Sequence, residues 1–404
     1  MVYLDKASTT KISNKVLKQI KKYNKKYYCN PSSSHDGGTS TNSLIEECKY
    51  NIIKQICCPY SENKSLIESK NIIFTSGATE SNNMVFKGLK KYLKEQGKTH
   101  IITSSIEHKS VLKVCEELEK DGFSVTYLPV DKTGIVSIDE FKNSVTEKTG
   151  LVSIMSVNNE IGTYQPIRAI STFCKQNNIL FHTDATQAIG HIITGADTDE
   201  VYENVDFISF SGHKFNALKG IGALIYSKEF NTIIKPIIVG GKQQNNIRAG
   251  TENVNGIISL NIALENKMKS ISKNITKIKK IEKFLDKLLV WFITDENLQY
   301  ETVGNLFDEN LRYNGIKNVC FYYIDKDNVN EMLINGNNIA SLLSRKKIYI
   351  STASACSNQM GSYVLKQIYK NTNDYLHCIR ISFDETNSYL DIIRFVLCLK
   401  KIIK

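Results

Sequence analysis

Ser211-Gly-His-Lys214 combines a hydroxyl, an imidazole and an amine within four residues. It follows the strand-like run 206–210 and precedes the glycine-bearing stretch Asn216–Gly222. A lysine at the end of a buried strand, partly desolvated beside polar groups, can act as a neutral amine and form a Schiff base with an aldehyde cofactor. Upstream lies His182-Thr-Asp184-Ala-Thr-Gln187, and far downstream lies Ser354-Ala-Cys356.

Asp184 ends an apolar strand-like run. A carboxylate there can pair with a protonated ring nitrogen and keep the ring an electron sink, or it can cap a helix. Thr75-Ser-Gly77-Ala78-Thr79-Glu-Ser-Asn follows another such run and opens a helical pattern. Amides at the positive end of that helix can cradle a phosphate. His108, in Ser105-Ile-Glu-His-Lys, can stack on a cofactor ring and move protons. Arg380, inside the apolar run Cys378–Phe383, needs an anion, either a substrate carboxylate or an ion-paired acid. Cys356 sits between small and polar residues, which predicts an exposed loop thiol able to act as a nucleophile. The polar stretch from Gly240 to Asn253 reads as a functional loop.

These residues need a scaffold that brings distant segments to one edge. Strand-like runs at 71–75, 100–104, 124–129, 150–157, 179–183, 206–211 and 221–227 alternate with helical patterns such as 80–95 and 110–121. That alternation predicts an α/β sheet with crossover helices. In such sheets ligands bind beyond the carboxyl ends of the strands, where these residues fall. A long amphipathic helix with a possible break spans 254–294 and leads to a smaller α/β unit. The expected division is an N-terminal segment 1–15, a large domain 16–255 and a small domain 256–404 carrying the Cys356 loop.

The 404 residues are 41% hydrophobic and 23% charged, as in a globular protein without a membrane span. Val2-Tyr3-Leu4 follows Met1 directly, so a cytoplasmic chain without a leader is expected. The ten cysteines include no C-x-x-C pair, so neither a metal site nor a disulfide framework is expected. The net charge of +11 is lysine spread over helical faces, with little arginine, so direct nucleic-acid binding is not expected.

Taken in order, the motifs resemble the NifS/IscS cysteine desulfurases of the class V aminotransferase superfamily. The likeness rests on Tyr3-Leu-Asp with Ala7-Ser-Thr-Thr, Asn30-Pro-Ser-Ser-Ser-His and Phe74-Thr-Ser-Gly-Ala-Thr-Glu-Ser-Asn-Asn. It continues in Glu107-His108, Val157-Asn-Asn-Glu-Ile-Gly, Asp184-Ala-Thr-Gln, Ser209-Phe-Ser-Gly-His-Lys, Arg248-Ala-Gly-Thr-Glu-Asn and Ser354-Ala-Cys. The resemblance implies a fold-type I transferase that uses pyridoxal 5'-phosphate, with a large, mostly parallel seven-stranded sheet domain, acting as a homodimer on L-cysteine. It implies that Lys214 binds the cofactor covalently, Asp184 holds the pyridine nitrogen and His108 stacks on the ring. Gln187 would bond the phenolic oxygen, with Asn159 beside it. Ala78, Thr79, Ser211 and His213 would bind the phosphate, joined by Thr251 from the other subunit. Asn30 and Arg380 would hold the substrate carboxylate. Cys356 would take the sulfur as a persulfide, release alanine and pass the sulfur to an acceptor protein that the sequence leaves unidentified.

The chain departs from the family pattern at Lys6, Ser8 and Lys11, where Asn, Ala and Pro are usual. It departs again after Arg380, where Ser382-Phe-Asp384-Glu replaces Ser-Leu-Gly-Arg. A selenocysteine lyase and a catalytically silent scaffold of the same fold are the alternative readings.

Overall fold

The computed structural model describes residues 1–57, 68, 70–192, 202, 204–292, 298–304, 311–323, 332–333, 335–352, 362–369 and 378–403. In chain order its strands are β1 (Val2–Tyr3), β2 (Lys70–Thr75), β3 (His100–Ser104), β4 (Ser124–Leu128), β5 (Thr149–Ser153), β6 (Leu180–Asp184) and β7 (Phe207–Ser211). They continue as β8 (Gly222–Ser227), β9 (Leu298–Val303), β10 (Ile316–Tyr323), β11 (Met332–Leu333), β12 (Ile348–Tyr349) and β13 (Cys378–Ser382).

Among the described residues, seven strands form the large sheet, ordered β2-β8-β7-β6-β5-β3-β4. Strands β3 to β7 pair in parallel, while β8 runs antiparallel to both β2 and β7. Every residue of β3, β5 and β7 is buried, which follows from helices covering both faces of a parallel sheet. The mostly parallel seven-stranded sheet expected from the sequence is therefore present.

Two apolar clusters lie on either side of this sheet. One contains Met84, Phe86, Leu89, Val111 and Leu118 of the helices Ala78–Glu95 and Lys109–Lys120. The other joins Ile102, Val152, Phe181 and Ile208 to Ile257, Leu285, Ile379 and Phe395, so it runs into the smaller sheet. There β10 is flanked by antiparallel partners β9, β11 and β13. The long helix expected over 254–294 is two helices, Val254–Met268 and Ile271–Phe292.

The N-terminal segment ties the two sheets together. β1 pairs with β12, Asp5 bridges to Ser382, and Thr10 N–H donates to the His213 carbonyl at 2.9 Å. Cys320 and Cys378 lie directly opposite each other on β10 and β13 and are joined as a disulfide. The sequence led to no expectation of this bond, since it argued only against a disulfide framework. Register brings their Cα atoms to 4.1 Å, a proximity that spacing along the chain does not reveal. No described helix is long and apolar enough to cross a membrane.

Candidate active site

The carboxyl ends of the parallel strands open onto a cavity of 260 Å³. Lys214 enters it from a single 3-10 turn, Gly212–Lys214, that ends β7. Its Nζ donates to the Ala7 carbonyl at 2.7 Å and the Ser8 carbonyl at 2.9 Å. Gln187 Nε2 donates to the same Ala7 carbonyl at 2.9 Å. The N-terminal segment therefore forms the wall against which the amine rests.

Asp184, the last residue of β6, is buried. Its Oδ1 accepts from Thr186 N–H at 3.0 Å, and its Oδ2 accepts from Asn82 Nδ2 at 2.8 Å. The same Asn82 amide donates to Ser110 Oγ at 2.8 Å. Ser110 in turn lies 2.8 Å from His108 Nδ1, which also accepts the Ser110 backbone N–H at 3.1 Å. With Nδ1 occupied as an acceptor, a neutral His108 carries its hydrogen on Nε2. Burial pushes His108 below the usual imidazole range, against an opposing pull from Asp184. One asparagine thus links the carboxylate to the imidazole. The sequence reading assigned Asn82 no role; its place four residues after Ala78, one helical turn on from the proposed cradle, was the available signal.

Glu107, beside His108, is another group the sequence reading left without a role. Its Oε1 accepts from Ser104 Oγ at 2.7 Å and Met155 N–H at 2.9 Å, while Oε2 is buried and unpartnered. Burial, and then the charge of Asp184, push its carboxyl up to about 8.

The N-cap residue of the helix Ala78–Glu95 is Gly77, which has no side chain to cap it. Ala78 N–H donates to Ser211 Oγ at 2.8 Å. The two glycines flanking this point approach closely: a Cβ on Gly222 would lie 2.6 Å from Gly77 Cα. His213 Nδ1 lies 3.0 Å from Thr9 Oγ1. Burial, then Lys214 and Lys219, push His213 down to about 4, leaving it a neutral hydrogen-bonding group.

Arg380, 1% exposed, donates to Asp5 and Ser8 Oγ through NH2 at 2.9 and 2.7 Å, and to the Asn159 carbonyl through NH1 at 2.9 Å. Its expected anion in this structure is therefore the Asp5 carboxylate. Arg380 Nε, Asn159 Oδ1 and Thr186 Oγ1 line the cavity region as buried atoms without hydrogen-bond partners.

The cavity thus brings together ten of the residues expected from sequence. Ala78, Thr79, His108, Asn159, Asp184, Gln187, Ser211, His213, Lys214 and Arg380 all line it. Asn30 and Thr251 are exposed and are not among its described lining residues. Asn30 Oδ1 instead accepts from Ser32 N–H at 2.9 Å. Cys356 lies outside the described residues.

An amine, a carboxylate and an imidazole on three strand ends suit an aldehyde-bearing heteroaromatic group. The helix start at Gly77, Ser211 and His213 suit its anionic substituent. The unpartnered buried atoms are consistent with a polar guest, so the residues present fit pyridoxal phosphate.

The aminotransferase class-V family matches residues 2–395 of the chain. A cysteine desulfurase IscS of Dictyoglomus turgidum is 41% identical over 369 residues, covering 91% of this chain and 85% of the relative. A solved NifS-like protein superposes with a TM-score of 0.84 at 31% identity, covering all of this chain and 99% of the other. A structure described as SspA in complex with cysteine has a TM-score of 0.74 at 30% identity, covering 95% and 99%.

Proposed function

The chain belongs to the class V aminotransferase family and within it to the cysteine desulfurases, and from that premise we propose how its residues divide the work. The observation that carries the proposal is Lys214 Nζ sharing one cavity with Asp184, His108 and the helix start at Gly77. Pyridoxal phosphate, when bound, supplies an aldehyde that captures amines and a ring that draws electrons from the captured carbon.

Lys214 would hold the cofactor covalently through Nζ. Asp184 keeps a proton on the ring nitrogen, and the bond from Asn82 fixes the direction of its carboxylate. His108 would lie against the ring and handle protons through Nε2. Ala78, Thr79, Ser211 and His213 bind the phosphate, joined by Thr251 of the second subunit in a homodimer. The exposed apolar Ile238 and Val239, in the stretch leading into the same loop, support that contact. Gln187 and Asn159 orient the ring oxygen. Arg380 offers its unpartnered Nε–H to the substrate carboxylate, aided by Asn30.

Cys356 takes the sulfur. The Cys356 thiolate attacks the sulfur of L-cysteine, the carbon–sulfur bond breaks with its electron pair left on carbon, and that carbon takes up a proton so that the skeleton leaves as L-alanine. The outer sulfur of the Cys356 persulfide then passes to an acceptor protein in the cytoplasm.

The test is borohydride reduction of the purified protein, which should be yellow, followed by peptide mapping. Label on Lys214 supports the assignment; label on another lysine, or none, refutes it.

A further inference from the structure

His191 is buried and has no part in the chemistry above. Its Nε2 lies 2.9 Å from the main-chain oxygen of Lys214, and its Nδ1 lies 3.3 Å from the Tyr313 hydroxyl. The two rings are 5.4 Å apart. A carbonyl only accepts, so Nε2 carries the hydrogen and Nδ1 accepts from Tyr313. Burial, then Lys267, push the His191 pKa down to about 3, against Asp384 and the bond to Lys214 O, with the Lys214 charge a smaller lowering influence. The ring therefore stays neutral across the working pH range and keeps this tautomer.

The backbone enforces the approach. Gly190 has φ +79°, and a Cβ there would lie 2.8 Å from Phe215 Cβ, the residue after Lys214. Tyr313 is itself held, its N–H donating to the Gly162 carbonyl at 2.8 Å just ahead of β10. A side-chain relay thus runs from the lead-in of the smaller sheet to the main chain of Lys214.

We propose that His191 is a positioning residue, clamping the Lys214 main chain so that Nζ keeps its place, with Tyr313 setting the tautomer that makes the clamp. The proposal rests on Lys214 being the cofactor lysine. A lysine whose backbone is fixed presents its nitrogen at one place in the cavity; a loosened one samples several, and the proton affinity of that nitrogen changes with its surroundings.

The test is a pH titration of the visible absorbance of the cofactor-bound full chain, which reports the proton on the lysine–cofactor bond. His191→Leu should shift the midpoint by about 0.5 pH unit or more, roughly threefold in proton affinity. Tyr313→Phe should shift it in the same direction by less. His191→Gln keeps an N–H donor and should return it most of the way. A purely structural role would lower the melting temperature of the Leu and Gln variants alike and leave the midpoint in place. Lys214 labelled by borohydride with unshifted midpoints overturns the clamp alone; label on another lysine overturns the clamp and the cofactor assignment together. Should His191→Leu fail to fold, Tyr313→Phe decides: a shifted midpoint supports the clamp and an unshifted one overturns it.

Discussion

Lys6 Nζ lies 2.9 Å from Asp384 Oδ1, joining residues near opposite ends of the chain. Both are positions where the sequence departs from the family pattern, and the two departures pair with each other. Asp384 is fully buried, and Lys6 also donates to Thr386 Oγ1 at 2.7 Å. The pair fastens the N-terminal segment, whose Ala7 and Ser8 carbonyls hold Lys214, to the turn after Arg380.

Removing only the lysine should leave the buried carboxylate without its ion-pair partner, with the Thr386 hydrogen bonds remaining. Lys6→Met is expected to cost ~3–5 kcal/mol, and pairing it with Asp384→Leu should recover most of that. Burial pushes the Asp384 pKa up, but Lys6, Lys267 and the bond to Thr386 outweigh it and hold it below the usual carboxylate value. The stabilisation is therefore complete above the unfolded value of ~3.9 and lost as pH falls through the lower folded value. Urea unfolding of the wild type and both variants, from neutral to acid pH, checks the magnitude and the sign.

Asn82 is expected to matter for catalysis more than for folding. Asn82→Ala removes the donor shared by Asp184 and Ser110, so the Asp184 carboxylate loses its fixed direction and the Ser110 hydroxyl beside His108 loses the bond that orients it. The expected result is a roughly tenfold or greater fall in kcat/KM, ~1.4 kcal/mol of transition-state stabilisation. A pH–rate profile with an altered limb would locate the loss in proton handling. An unchanged profile and rate would remove Asn82 from the account.

Glu107 should be neutral in the folded protein at pH 7, because its carboxyl is pushed up to about 8. Its unfolded value is ~4.3, so the wild type loses stability as pH rises between these values and the buried acid resists ionisation. Glu107→Gln imitates the neutral acid. Its melting temperature should match the wild type near pH 5 and exceed it near pH 9, as read by thermal scans. A constant difference across pH would contradict the assignment.

The large sheet was legible because its strands are short runs, several of them rich in Ile and Phe as in β2, β3 and β7, and because helical patterns alternate with them. Part of the cavity lining was legible for the same reason: His108, Asp184 and Lys214 end or follow strands of the large sheet, so knowing the strands placed them on one edge, whereas Asn30 and Thr251 are not among the described lining residues. Long-range pairings were not legible. Nothing near Arg380 in sequence shows that Asp5 takes up its charge, and nothing near Cys320 shows that β13 places Cys378 opposite it. Asn82 sits in a motif read as a phosphate cradle, yet its amide points to Asp184 and Ser110, a direction set by the helix packing over the sheet. The break after Met268 was expected only as a possibility, since its position depends on tertiary packing.

The central claim is that sulfur from L-cysteine is captured on Cys356. Mass spectrometry of the protein after addition of L-cysteine without reductant tests it most directly. The account predicts one added sulfur on the peptide carrying Cys356 in the wild type, and none there in Cys356→Ala, which should keep its cofactor spectrum yet release little alanine. Turnover by the wild type with added sulfur found only on another cysteine would contradict it.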